Sequence, residues 1–397
     1  MEWKRETTES NILSACIFLC LFLAFLGLIL QNILLLSIFL LVFALFYGSQ
    51  LYINHAGRKL IFTNERNREK FNKGDKGDWS FTFENSGLPI LSGSIILRFD
   101  DVVVPLGIDF DEFPGGIIEM KIPFSLSKNE KIDVRFPVEA RRRGLARVAK
   151  LTVDIPNLFG SGGVHLQYGK PVKSDILVFP HGKPVEGFTS AHTKTQGNFA
   201  VHNSLFHDPF QPVGTRDYAP GDSFAAINWK ATARLQTLQT KVHSPATSRN
   251  WLITLNISAH YSITSKLEEL IERTAYIIEM AAKQDIPFAL AVNVRSLNST
   301  PFYYLPAGEG KKQRQKALEM LSVLSTDDIT FPFSLMYQYL VMHHQVPPVL
   351  ITIGEQDSES ERLLSLMSNR DVSIFQLVYH NEQGVLQEWK QQSRKFA

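Results

Sequence analysis

Two uncharged apolar runs near the N-terminus, residues 11–30 and 32–53, constrain this chain more than any other feature. Each is almost wholly aliphatic or aromatic, and Gln31-Asn32 is the only polar break between them. A bilayer core takes about 20 apolar residues at a rise of 1.5 Å each. The runs therefore predict two transmembrane helices joined by a very tight turn, with one long or re-entrant segment as the alternative. A cleaved signal peptide fits less well, because its apolar region is typically about 7–15 residues and no A-x-A-like site interrupts these runs. Lys4 and Arg5 precede the first run, and Arg58, Lys59, Arg66, Arg68 and Lys70 follow the second. By the positive-inside rule both ends then lie in the cytoplasm. The expectation is a multi-pass cell-membrane protein, with the lipid bilayer as its first partner and a large cytoplasmic C-terminal region. The only cysteines, Cys16 and Cys20, sit four apart in the first run. They rule out a disulfide framework and read either as lipid-modification sites or as small residues on one helix face.

The 397 residues leave room for more than one further domain. A net charge of +2 gives no bulk reason to expect nucleic-acid binding. Between about residues 60 and 180, short β-branched and aromatic runs recur between turn signals. Trp79-Ser80-Phe81-Thr82-Phe83-Glu84 alternates with period two, and Asn85-Ser86-Gly87 closes it. Such spacing predicts an antiparallel, immunoglobulin-like or related β-sandwich. Arg141-Arg142-Arg143-Gly144 reads either as a contact for anionic headgroups or an acidic partner, or as a solvated hairpin tip. The domains expected are a hairpin over 1–58, a sandwich over 59–180, a linker with a polar motif over 181–247, and an α/β domain over 248–397.

The densest run of special-purpose residues is Gly214-Thr215-Arg216-Asp217-Tyr218-Ala219-Pro220-Gly221-Asp222, continuing through Ile227-Asn228-Trp229-Lys230 to Ala233-Arg234. Pro220-Gly221 predicts a turn, and Asp222 or Ser223 is placed to cap a short helix carrying Phe224, Ile227, Ala231 and Leu235. His192, His202 and His207 lie just upstream, but their spacing matches no closed zinc pattern. After the motif, 238–242 alternates like an edge strand. Trp251-Leu252-Ile253-Thr254-Leu255-Asn256-Ile257 has the near-continuous apolarity of a parallel strand buried on both faces. Ser265 with Glu268 reads as the capping box of a following helix. Strands at 287–294, 349–353 and 372–378 alternate with helices at 311–324, 335–344 and 360–367, which implies a doubly wound, mostly parallel sheet.

The G-x-R-x-Y-x-P-G-D run followed by I-x-W-x-x-x-A-R resembles the signature of domain of unknown function family 58. Phe136-Pro137-Val138-Glu139-Ala140-Arg141-Arg142-Arg143-Gly144 and the Asn157-Leu158-Phe159-Gly160 turn resemble the segment upstream of it. The resemblance implies a C-terminal domain similar to a von Willebrand A fold and a partner ATPase of the MoxR AAA+ type, and it assigns no general enzymatic activity. A metal-binding von Willebrand A domain carries D-x-S-x-S after its first strand, since Mg²⁺ takes hard oxygen ligands. Asn256, Ser258 and His260 stand there instead, a degenerate site, so no metal and no cofactor are expected; Glu355 and Asp357 remain as carboxylates from elsewhere or as helix caps.

Three functions are compatible with these features. The first is a membrane-anchored, non-enzymatic interaction or adaptor protein, with Arg216, Tyr218, Asp222, Trp229 and Arg234 forming or supporting the contact surface, because arginine, tyrosine and tryptophan anchor interfaces. The same residues also read as structural: Trp229 in a core and Arg216 paired with Asp222. A cell-envelope scaffold is the second. The third, an unassigned hydrolase, lacks a G-x-S-x-G elbow, a Walker A lysine or an H-E-x-x-H helix, and Asp217, Asp222, His243 and His260 are its only candidates near the motif.

Overall fold

The computed structural model describes residues 2–8, 11–158, 162–188, 207–219, 223–245, 250–259, 262–343, 346–369, 372–380 and 383–390. The chain divides into two units, Met1–His181 and Gly182–Ala397.

The first unit begins with a strand, β1 (Trp3–Thr8), ahead of the helices α1 (Asn11–Ile29) and α2 (Ile33–His55). Gln31 takes a left-handed φ of 52° in the turn, and Asn32 caps α2 by accepting from the Leu35 amide at 3.2 Å. That cap satisfies one of the donors a helix start leaves open. Of the described helices, α2 is long and apolar enough to cross a membrane. α1 is apolar throughout but does not meet the same length over its described side chains, so one membrane-competent helix, rather than two, follows from length and composition. Most large side chains of the pair, among them Phe18, Phe22, Ile33, Leu34 and Leu41, are exposed.

Two sheets follow. The larger contains β5 (Ile90–Asp100), β7 (Phe110–Phe113), β8 (Ile117–Leu126), β10 (Gly144–Pro156) and β11 (Gly163–Tyr168), in the order β1-β11-β10-β5-β8-β7. It also takes in β3 (Arg68–Asn72), which pairs in parallel with β12 (Asp175–Phe179). The smaller has the order β2-β4-β9-β6, from β2 (Leu60–Thr63), β4 (Lys76–Asn85), β6 (Val103–Pro105) and β9 (Glu130–Ala140). Alternation along β4 buries Trp79, Phe81 and Phe83, which join Phe99 from β5 and Phe136 from β9 in one core shared by both sheets. Removing each such side chain from water contributes roughly 1.5–3 kcal/mol. The buried Trp79 indole N–H is satisfied by Ser174 Oγ at 2.9 Å. This is a β-sandwich with a parallel β3–β12 pair at one side.

β1 is the departure from expectation. Read in sequence as the basic flank of a membrane segment, Trp3–Thr8 instead pairs antiparallel with β11, from Trp3↔Tyr168 to Thr8↔Gly163. The last turns of α2 are also embedded. Ile53 and Ala56 belong to the sandwich core, Tyr52 Oη donates to the Pro89 carbonyl at 3.1 Å, Ser49 Oγ bonds Asn157 Oδ1, and the Arg5 guanidinium donates to the Ile53 carbonyl. Arg5 offsets the unpaired carbonyls and partial negative charge at the end of α2.

The second unit is built on a seven-stranded sheet. Its strands are β13 (Val185–Glu186), β16 (Trp251–Leu255), β19 (Phe288–Arg295), β20 (Phe302–Gly308), β21 (Val349–Ile353), β22 (Ser373–His380) and β23 (Gln383–Glu388), in the order β13-β23-β22-β21-β16-β19-β20. β19, β16, β21 and β22 are parallel, while β20 and β23 run antiparallel outside them. Numbered from β16, the order is 3-2-1-4-5-6, the doubly wound arrangement, with its switch point between β16 and β21. The two antiparallel strands were not anticipated. A ribbon of β14 (His207–Asp217) and β15 (Gln239–Pro245) stands as a separate two-stranded sheet, joined by a 3-10 turn at Phe224–Ala226 and the short helix α3 (Trp229–Leu235), and the short strands β17 (Ser258–Ala259) and β18 (Ser262–Ile263) pair in another. The remaining helices are α4 (Leu267–Lys283), α5 (Gly310–Ser322), α6 (Phe333–His343) and α7 (Ser358–Ser368).

Two caps differ from the sequence reading. The motif helix starts at Trp229, and Asn228, not Ser223, caps it by accepting from the Ala231 amide at 3.2 Å; the backbone at Ser223 leads only a 3-10 turn. α4 starts at Leu267 behind Lys266, which makes no side-chain cap, so the expected Ser265–Glu268 box does not frame it.

Candidate functional site

The β14–β15 ribbon holds the 214–238 motif by backbone pairing. Gly214, Thr215, Arg216 and Asp217 face Val242, Lys241, Thr240 and Gln239, and the Tyr218 amide donates to the Leu238 carbonyl at 2.9 Å. Asp217 is not a free acid here, since its Oδ1 accepts from Gln239 Nε2 at 2.5 Å, and Gln239 and Thr240 are buried. Arg216 donates to the Asp217 carbonyl at 3.1 Å, and the Tyr218 and Phe224 rings lie 6.3 Å apart. Ile227 is the apolar anchor, 2% exposed and bridged to Thr240.

The other large side chains of the motif point into solvent. Trp229 is 63% exposed and Phe224 73%, and Leu235 and Leu238 are exposed too. Trp229 is therefore no core anchor, which corrects the structural reading of that residue. Arg216, Lys230 and Arg234 are exposed beside them, and Tyr218 is half-buried. Asp222, with Pro220 and Gly221, lies outside the described residues, so its pairing with Arg216 is not part of this geometry. His192 and His202 lie outside as well.

A second constellation sits at the switch point, past the carboxyl ends of β16 and β21, where doubly wound sheets place ligands. Asn256, 5% exposed, and Ser258 line a cavity of about 240 Å³ together with Lys266, Glu355, Gln376 and Tyr379. Gly354 takes φ +99°, and a Cβ there would fall 2.2 Å from the Asn256 carbonyl, so only glycine permits this approach of the two strand ends. Asn293, fully buried on β19 and unremarked in the sequence, organises the site. Its Nδ2 donates to Asn256 Oδ1 at 2.7 Å and to Ser258 Oγ at 3.1 Å, while its Oδ1 accepts from the Ile257 amide at 2.7 Å.

Asn256 Oδ1 also accepts from the Ser258 amide (3.0 Å) and hydroxyl (2.6 Å), and Asn256 Nδ2 donates to the Glu355 carbonyl at 2.6 Å. Three donors converge on the one oxygen that a cation would need, and the other end of the amide presents protons. Asp357 spends its carboxylate capping α7 by accepting from the Ser360 amide at 2.7 Å. Among the described residues no three His, Cys, Asp or Glu side chains group to hold a metal, and His260 lies outside them. The residues present do not fit Mg²⁺ coordination; hydrogen bonds do the joining that a cation would do.

At the cavity wall, burial pushes the Tyr379 phenol up to about 12, and the Lys266 ammonium lies 5.6 Å from its ring centroid. Deeper, Tyr337 Oη donates to Thr352 Oγ1 at 2.9 Å and meets Thr254 Oγ1 at 3.1 Å, tying α6 to the central strands, and burial raises that phenol as well.

Two arginines of the run at the end of β9 are paired with carboxylates. Arg141 pairs with Glu112 at 2.8 Å, Arg142 pairs with Asp101, and Arg143 is buried. β4 pairs with β9 from Asn85↔Glu130, beside the end of α2, to Lys76↔Glu139. The run thus lies about 30 Å along the strands from the helix end.

Residues 214–333 match the family model "Protein of unknown function DUF58". The match takes in the ribbon from Gly214 onward, α3, the Asn256 strand end and Asn293, and leaves the upstream sandwich segments outside. The uncharacterized protein YeaD of Bacillus subtilis (strain 168) is 28% identical over 131 residues, 33% of this chain and 30% of that protein. The chain thus matches under a third of this curated relative's length. Among solved structures, a CARDB domain from Pyrococcus furiosus is 14% identical over 30% of this chain and 87% of that one, with a TM-score of 0.18. A non-cellulosomal cohesin from Archaeoglobus fulgidus is 15% identical over 30% and 89%, with a TM-score of 0.19. At scores this low neither structure defines the fold. The family model and the Bacillus relative support a DUF58 family protein.

Proposed function

We propose that this chain is a membrane-anchored, non-enzymatic adaptor that presents the 214–238 motif to a partner protein in the cytoplasm. The observation that carries this reading is the exposure of Trp229, Phe224, Leu235 and Leu238 among the cations Arg216, Lys230 and Arg234 on one short ribbon-and-helix element. Large apolar side chains gathered on a surface mark interaction sites, and tryptophan and arginine carry a large share of interface energy. Asp217 and Asn256 are consumed by internal hydrogen bonds, which favours binding over catalysis. The partner is a MoxR-type AAA+ ATPase, on the strength of the family resemblance, and the 3-2-1-4-5-6 sheet supports a von Willebrand A-like domain beside the motif.

Anchoring is by both helices as a hairpin. β1 before α1 and β11 after α2 pair in one sheet, so the chain returns to the side from which it left. The basic residues after α2, Arg58 and Lys59 among them, favour the cytoplasm as that side. Co-purification from mild detergent, with and without ATP, tests the function. A MoxR-type ATPase recovered in a nucleotide-dependent way, and lost on Trp229→Ala or Arg234→Ala, is the expected result. Recovery of envelope proteins indifferent to ATP moves the assignment to a cell-envelope scaffold, and substrate turnover by the purified protein alone moves it to a hydrolase.

A further inference from the structure

The end of the sandwich nearest α2 carries apolar side chains that its own core does not use. Leu88, in the β4–β5 connection, Leu91, at the start of β5, and Leu158, after β10, are all exposed, Leu91 at 59%. Each is tied to the helix by its neighbours. Pro89 accepts from Tyr52 Oη, the Leu91 amide donates to the same hydroxyl at 3.4 Å, and Asn157, adjacent to Leu158, bonds Ser49. Tyr52 belongs to a helix whose long side chains lean back toward its N-terminus, which carries these connections along α2 toward its free part.

The length of that free part matters. With Ser49 buried and bonded into the sandwich, the stretch of α2 clear of it runs from residue 33 to residue 48, about 24 Å long. A hydrocarbon core is about 30 Å thick. The shortfall of about 6 Å is met if the sandwich itself settles into the membrane, within the interfacial depth of about 5–10 Å that apolar side chains reach. Arg58 and Lys59, exposed just after α2, and Lys128, exposed in the β8–β9 turn at the same end, are then placed at headgroup level. The arginine run is at the opposite end and plays no part.

Resting on the hairpin reading above, we propose that this end of the sandwich is a lipid-binding surface, with Leu88, Leu91 and Leu158 inserted at the boundary between headgroups and acyl chains. The sandwich thus sits on the bilayer as a fixed foot instead of hanging from a tether.

The test uses the full chain in nanodiscs, in a Cys16→Ser, Cys20→Ser background, with an environment-sensitive fluorophore on single cysteines at Leu91→Cys, Leu158→Cys, Leu41→Cys and Lys73→Cys. Leu41 is an exposed residue of α2, and Lys73 lies in the β3–β4 turn at the far end of the sandwich. Bromine-labelled phospholipids quench positions 41, 91 and 158 at least several-fold more than position 73 if the surface is embedded. Quenching at 41 with positions 91 and 158 no different from 73, and open to aqueous iodide, overturns the lipid surface while leaving the hairpin intact. Absence of quenching at 41 overturns the hairpin reading and the lipid surface together.

Discussion

Asn293→Ala removes the side chain that holds the switch point together, and its cost follows mainly from three of the four hydrogen bonds it makes, the fourth being a 3.3 Å donation to the Phe331 carbonyl. The substitution strips the Ile257 amide of its 2.7 Å acceptor, deprives Asn256 Oδ1 of one of three donors, and takes a donor from Ser258 Oγ. An orphaned buried donor costs about 1–3 kcal/mol, and the lost bonds to groups that keep other partners cost less. A total near 3 kcal/mol is expected, equivalent to a factor of about a hundred or more in a local opening equilibrium. Hydrogen–deuterium exchange of peptides from β16 and β21 measures it directly, with Asn298→Ala on the exposed connection after β19 as the control. Protection of β16 should fall by about two orders of magnitude for Asn293→Ala and stay unchanged for the control. Protection within threefold of the parent protein would refute the idea that an amide network joins these strand ends. Asn256→Asp is the complementary change: its new oxygen faces the Glu355 carbonyl in place of an N–H, so the domain loses stability, and added Mg²⁺ does not restore it.

Other outcomes follow from single residues. Gly57, just past α2, takes φ +71°, and a Cβ there would meet Leu166 Cδ1 at 2.6 Å and Ile155 Cδ1 at 2.9 Å; Gly57→Ala should destabilise the first unit by about 1–3 kcal/mol or more in thermal unfolding. Arg5→Ala removes the cation from the Ile53 carbonyl and should cost about 1.5–3 kcal/mol in the same assay, whereas a merely basic flank would cost nothing. Tyr379 has a phenol raised to about 12 by burial, so its contribution to stability is full below the ordinary tyrosine range and is lost as pH rises through 12. The tyrosinate absorbance that Tyr379→Phe removes should therefore appear later in an alkaline titration than that of the exposed tyrosines. On the proposed cytoplasmic placement of both ends, alkaline phosphatase fused at Gln31-Asn32 should be active and the same enzyme at the C-terminus inactive.

Much of the architecture is legible because burial imposes a period. β4 alternates, and β16 and β21 are buried without interruption and apolar but for Thr254 and Thr352, so strand type and sheet class can be read from them. β1 could not be read this way. It is a mostly exposed edge strand whose charged residues mimic a membrane flank, and its partner lies over 150 residues later. The helix cap expected at Asp222 or Ser223 but found at Asn228 reflects the run Phe224-Ala225-Ala226, which looks helical but stops as a 3-10 turn before Asn228 starts the helix proper. Asn256 and Ser258 were visible as a departure from a metal pattern, yet what replaces the metal was not. The signal available was Asn293, an amide within the otherwise apolar run from Phe288 to Val294 of β19. For Trp229 the motif fixes the residue and not its exposure, which depends on what the ribbon packs against.

The most direct measurement is photocrosslinking in intact cells from position 229, with a photoreactive residue in place of Trp229 and exposed Leu366 on α7 as the comparison site. An adaptor working through the motif yields a discrete adduct with a MoxR-type ATPase from 229, sensitive to ATP depletion, and none from 366. Absence of any protein adduct at 229, or the same adducts from both positions, would contradict a contact surface at the 214–238 motif.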